Sequence, residues 1–200
     1  MMGKLAIIDT GTYYHHRVIH EDRFGHFFDQ AIYIRDLCKT DLSDITTLIV
    51  PCRTDPAHLV AHRKLFADFL NDGKTVVAMG STGPDKWLDD ISWRFTPTNF
   101  WWWKEGGSLN LEIAEPEHSL FDYVKLADAT WHHHGLLTPP AGATSLINAN
   151  KAGSIFYDDR VTSPGRKIVT TLDPMYHHGN HFMPATSRFL DGFLPWLKSQ

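Results

Sequence analysis

The chain has 200 residues, 42% of them hydrophobic, which suits a single packed domain over residues 1–200 and carries no compositional sign of disorder. A net charge of -4 with scattered Lys and Arg gives no basic stripe for nucleic acid, and the apolar run at residues 5–8 is too short for a signal peptide or a membrane span, so the expected location is the cytoplasm. Cys38 and Cys52 are too few for a disulfide framework or a thiolate zinc site, whereas 13 histidines against 19 Lys plus Arg are a clear excess.

Residues 5–8 (LAII), ending at Asp9-Thr10-Gly11, and residues 47–50 (TLIV), ending at Pro51, read as strands buried on both faces. Between them, Phe27, Phe28, Ala31, Ile34, Arg35 and Cys38 recur at helical spacing, which predicts a helix over 24–38. A second helix is predicted over 58–71, with Leu59, His62, Leu65, Phe66, Phe69 and Leu70 on one face and Asp72-Gly73 as its stop signal. Residues 74–79 follow as a third strand, broken at Gly80-Ser81-Thr82-Gly83-Pro84. This β-α-β-α-β order implies an α/β fold: a three-layer, flavodoxin-like, mostly parallel sheet with helices on both faces and right-handed crossovers. Short strands over 109–113, 145–148, 154–158 and 167–172 and an amphipathic helix over 185–197 complete the chain. Ligands of open α/β sheets collect beyond the carboxyl ends of strands, which points to residues 9–26, 51–58, 80–87 and 173–181.

The order of these pieces resembles the class I glutamine amidotransferase-like superfamily, and within it the trehalose-utilisation (ThuA-like) group. "DTGTYYHHRVIH" is similar to that group's Thr-Gly-aromatic-x-His loop, and "LIVPCRTDPAHLVAHRKLFADFLNDGKTVVAMGS" to its strand, Gly-terminated helix and strand. "EPEHSLFDYVKLADATWHHHG" is similar to its His-Pro-Ile segment and acidic loop, and "GRKIVTTLDPMYHHGNHFMPATSRFLDGFLPWL" to its closing strand, Leu-Gly-His and terminal helix. Amidotransferase chemistry needs a Cys thiolate on a strand–turn–helix elbow and a His base oriented by Glu. Here Ser81 stands at the elbow, and Asp173 and Met175 stand where the family has His and Glu. The resemblance therefore implies the fold without the triad, and the chain is not expected to be a glutamine amidotransferase. The related peptidase E and cyanophycinase group uses serine at this elbow, and Met79-Gly80-Ser81-Thr82-Gly83 is one residue short of Gly-x-Ser-x-Gly; the same segment also reads as a plain polar turn.

Three histidine clusters, His15/His16/His20, His132/His133/His134 and His177/His178/His181, fall in segments read as loops. They are candidates for acid–base catalysis or for a divalent transition metal of the zinc type, with His178, His181 and His15 as imidazole ligands and Asp173 or Asp9 as oxygen donor. Adjacent histidines pointing in different directions on a polar loop is the plainer alternative. In "FTPTNFWWWKEGG", Trp101 and Trp103 would share one face of a strand while Trp102 points opposite, giving either a stacking platform for sugar C–H faces or a contact between subunits.

These observations favour a protein that binds or processes a small polar molecule in a His-rich pocket at the carboxyl edge of the sheet, a carbohydrate being what the resemblance implies. Ser81, His133, His177 and Asp173 are the catalytic candidates, and His15, His16, Arg53, Trp101 and Trp103 the ligand-binding ones. The alternatives are a serine hydrolase using Ser81 and a non-catalytic homo-oligomeric assembly module built on the Trp tract.

Overall fold

The computed structural model describes residues 3–21, 23–97, 100–101, 103–104 and 106–200, so the expectation for Trp102 lies outside the described residues. Strands β1 (Lys4–Asp9), β2 (Gln30–Tyr33), β3 (Ile45–Val50), β4 (Thr75–Ala78), β5 (Ser92–Arg94), β6 (Leu111–Ile113), β7 (Leu136–Thr138), β8 (Thr144–Ala149), β9 (Ser154–Asp159) and β10 (Arg166–Thr170) form one ten-stranded sheet. Its order is β2-β1-β3-β4-β10-β9-β7-β5, with β8 beside β9 and β6 beside β8. The first five of these run parallel, as the alternating pattern predicts, and the pairings of β10 with β9 and among β5 to β9 are antiparallel.

The inner parallel strands β1, β3, β4 and β10 are buried on both faces, which explains their apolar runs. Along β1, Leu5 and Ile7 enter one core and Ala6 and Ile8 the other; β3 repeats this with Ile49 against Leu48 and Val50, and β4 with Val77 against Val76 and Ala78. Helices α1 (Tyr13–His20), α4 (Pro174–Gly179) and α5 (Pro184–Lys198) contribute Val18, Met175, Phe189 and Phe193 to the first core. Helices α2 (Pro56–Ala61) and α3 (Arg63–Asn71) contribute Leu59, Phe66, Phe69 and Leu70 to the second. Three layers result.

Two expectations are corrected. The helix predicted over 24–38 is absent: 3-10 turns at Gly25–Phe27 and Ile34–Lys39 flank the edge strand β2, in which only Ile32 is buried. Pairing of β2 with β1 supplies backbone hydrogen bonds that outweigh a helical spacing with no N-cap or C-cap to enforce it. Cys38 is accordingly exposed on a 3-10 turn. The crossover helix is instead α1, in a segment read as loop, so His15, His16 and His20 are helical, as are His177 and His178 in α4. The helix predicted over 58–71 is two helices, α2 and α3, separated at His62.

Candidate functional site

Because β1, β3, β4 and β10 are consecutive neighbours in the sheet, the turns leaving their carboxyl ends stand side by side. The turn after β4 passes very close to the one after β10: Gly80 N–H donates to Leu172 O, and a Cβ on Gly80 would lie 2.3 Å from Thr171 O. Glycine is required there by space alone. Ser81 follows in the left-handed region at φ 59°, a conformation costing a non-glycine residue about 1–2 kcal/mol. Its side chain is exposed and hydrogen-bonds to no histidine among the described residues.

Asp173, just beyond β10 and fully buried, is the centre of the arrangement. Its Oδ2 accepts from Arg53 Nε and Nη2 at 3.2 and 3.0 Å and lies 2.9 Å from His134 Nε2. On the other oxygen, Oδ1, stand His177 Nε2 at 3.0 Å, Trp131 Nε1–H at 3.4 Å and His132 Nε2 at 3.7 Å. The imidazoles of His132 and His177 also meet each other, Nε2 to Nε2, at 2.9 Å. Burial acts to raise the Asp173 carboxyl, but hydrogen bonds and charge from His134 and His177 hold it well below the usual carboxylate range. His132 is pushed down to about 4, chiefly by burial, which its attraction to Asp173 only partly offsets.

Local structure explains how these groups meet. Asp173 is the N-cap position of α4, so His177 four residues on returns to it after one helical turn. His178, one residue further, is carried about 100° round the helix and away from Asp173. The segment before β7 is irregular, with bends at Trp131 and His134; it turns Trp131, His132 and His134 toward Asp173, while His133 Nδ1 lies 3.0 Å from Gly135 O. Arg53 sits in the turn after β3 at φ 63°, its guanidinium 3.5 Å from the centroid of Tyr176 on α4. α1 can lie against α4 because Gly179 has no Cβ, which would meet Tyr14 Cα at 2.5 Å.

The structure therefore regroups the sequence candidates. Arg53, Asp173 and His177 come together, joined by His132, His134 and Trp131. His15 is fully buried with both ring nitrogens engaged, Nδ1 at 2.7 Å from Thr10 Oγ1 and Nε2 at 2.8 Å from Cys52 O, so it ties the β1 turn to the β3 turn; burial lowers it to about 4. His16 is exposed and lies against His20. His178 and His181 do not join His15: they line a separate cavity of about 370 Å³ with Arg17, Arg23, Ser187 and Arg188, and His178 Nδ1 contacts Ser187 Oγ at 2.7 Å. Among the described residues, one trio of His, Cys, Asp or Glu brings its ligand atoms within 4.8 Å of one another: His132, Asp173 and His177. Nothing local in the sequence marks His132 and His134 over His133, or Trp131 as a donor to Asp173, because the segment carrying them is irregular.

The aromatic tract borders this centre through Phe100, whose ring is 4.5 Å from that of His132 in an edge-on contact. Trp101 and Trp103, 57% and 55% exposed, flank the Lys104 ammonium at 4.2 and 5.4 Å. Neither cysteine stands at the elbow, and burial raises the thiol of Cys52 well above its ordinary value.

No helix among the described residues is long and apolar enough to cross a membrane. No family model matches the chain, and no curated protein does. Among solved structures, a Thermoplasma acidophilum protein provisionally identified as one of the subunits of GMP synthase is similar over 100% of this chain and 97% of its own, with a TM-score of 0.58 at 12% identity. That likeness concerns the backbone, and with the sheet described above it makes the architecture of this chain a three-layer, flavodoxin-like α/β fold.

Proposed function

We propose that this chain is an amidotransferase-fold protein without glutaminase chemistry that binds, and by acid–base groups processes, a small polar molecule beside Asp173, a carbohydrate being the class that best suits the site. The observation that carries the reading is the convergence of Arg53, His132, His134 and His177 from three separate segments on one buried carboxylate at the ligand-binding edge of the sheet. A core needs no such assembly, since burying an ionised carboxylate among four basic side chains costs desolvation that apolar packing avoids. His134 and Arg53 retain partial exposure, 14% and 31% of their side chains, so that hydroxyl groups of a polyol can reach them. Exposed Trp101 and Trp103, close in sequence to the Phe100 contact, supply faces on which sugar C–H groups stack.

The test is a thermal-shift panel of sugars, polyols and hydroxy acids on wild type, Arg53→Ala and His134→Ala. A ligand at tenfold excess over its Kd adds about 1.4 kcal/mol and raises Tm by about 3–6 °C, a shift that either substitution should remove. A panel without any such shift removes the proposal.

A second reading, serine hydrolysis, is favoured by the left-handed backbone of exposed Ser81 at the elbow. It requires a base that no hydrogen bond supplies to Ser81 among the described residues, and loss of activated-ester cleavage in Ser81→Ala alone would support it. If the Trp tract serves instead as a contact between subunits, Trp101→Ala with Trp103→Ala lowers the mass in solution and leaves ligand shifts intact.

A further inference from the structure

The contact between His132 and His177 asks for a cation. Two imidazole nitrogens face each other at 2.9 Å, and both face the same carboxylate oxygen, at 3.0 Å from His177 and 3.7 Å from His132. Neutral imidazoles place at most one proton in that gap, and a cation that displaces it would meet both lone pairs and the Asp173 oxygen at a single point. All three side chains are at most 3% exposed, so water does not compensate them at the surface.

The dimensions suit a metal. Zinc-like ions hold nitrogen and oxygen ligands at about 2.0–2.1 Å, which separates neighbouring ligand atoms by about 2.9 Å at right angles and about 3.6 Å at trigonal angles. The observed edges of 2.9, 3.0 and 3.7 Å lie close to that range, and shifts of about a tenth or a few tenths of an ångström bring all three atoms onto one ion. The groups behind the trio are arranged as an outer shell: Arg53 and His134 hold Oδ2, leaving Oδ1 turned toward the two imidazoles. Fixing the carboxylate through one oxygen in this way sets the direction of the other. Two imidazoles and one carboxylate, with no thiolate, leave coordination positions open for water or for the hydroxyl groups of a polar ligand.

We infer that His132, Asp173 and His177 form a binding site for one divalent transition metal ion, held through His132 Nε2, His177 Nε2 and Asp173 Oδ1. The site deepens the proposed function and rests on the same cluster being its centre. Its test contains no small molecule, so metal uptake and polyol binding fail or succeed separately.

Tag-free protein is stripped with a chelator, shown to be folded by circular dichroism, and titrated with Zn²⁺ against a competing chromogenic chelator. Wild type should take up one equivalent, His132→Gln and His177→Gln should each weaken binding by about 100-fold or more, and His178→Ala with His181→Ala should leave it unchanged. Folded wild type that takes up no zinc, or affinity that survives both glutamine variants, overturns the assignment, as does loss of binding in the His178/His181 variant alone. Should the glutamine variants not fold, His132→Cys loaded with Co²⁺ decides: a thiolate-to-cobalt charge-transfer band places residue 132 on the metal, and folded, cobalt-loaded protein lacking that band refutes the site.

Discussion

Asp173→Asn tests whether an ionised carboxylate organises the site. The substitution keeps the shape but exchanges one oxygen for an NH₂ group. Turning its remaining oxygen toward Arg53 and His134 places the NH₂ against the Oδ1 partners, His177, His132 and Trp131. The imidazoles can change tautomer and accept, but the indole N–H of Trp131 is a donor only and is left facing another donor. An orphaned buried donor costs about 1–3 kcal/mol, and replacing the charge-assisted bonds of Arg53 by bonds to a neutral amide costs about another 1 kcal/mol, reduced because Arg53 is partly solvated. The sum is about 2–4 kcal/mol, equivalent to a fall in Tm of about 5–15 °C. Urea denaturation followed by tryptophan fluorescence, with chelator present so that no metal contributes, gives the value directly. Asp44→Asn, in an exposed pair with Lys4, is the control and should stay within about 0.5 kcal/mol. A loss at Asp173 no larger than the control's would refute the view that this carboxylate is held charged by its neighbours.

Asp158, buried on β9, receives a two-pronged bond from Arg166 at 2.8 and 2.7 Å; burial raises its carboxyl, but Arg166, Arg160 and His118 bring it below the ordinary range. A depressed folded value means that its stabilisation is complete above the unfolded value of about 4 and disappears as pH falls through the folded one. Asp158→Asn should therefore cost about 3 kcal/mol at pH 7, and its difference from wild type should shrink on acidification below about pH 4; a gap that stays constant from neutral to acid pH contradicts this. Ser81→Gly removes the cost of a left-handed serine and should raise stability by about 1 kcal/mol, a Tm increase of about 2–4 °C, whereas a decrease would show that the hydroxyl makes a stabilising contact.

The layers of this fold were legible in the sequence because strands buried on both faces need continuous apolar runs, and residues 5–8, 47–50 and 75–78 can satisfy no other environment once Pro, Gly and Asp punctuate their ends. That a serine and no cysteine follows the strand at residues 75–78 was equally legible, since it depends on identity and order alone. Residues 24–38 were not: their helical spacing is local, while the hydrogen bonds that make β2 a strand come from β1, more than twenty residues earlier. The regrouping of the histidines belongs to the tertiary structure for the same reason. Which member of each cluster faces inward is set by a helix phase or by the bends of an irregular segment, and these become definite only when α4 and the segment before β7 dock on the carboxyl edge of the sheet. Sequence determined that histidines, an arginine and an aspartate would stand near that edge; packing decided that Arg53, His132, His134 and His177 share one carboxylate, while His15 became a buried tie and His178 turned to another cavity.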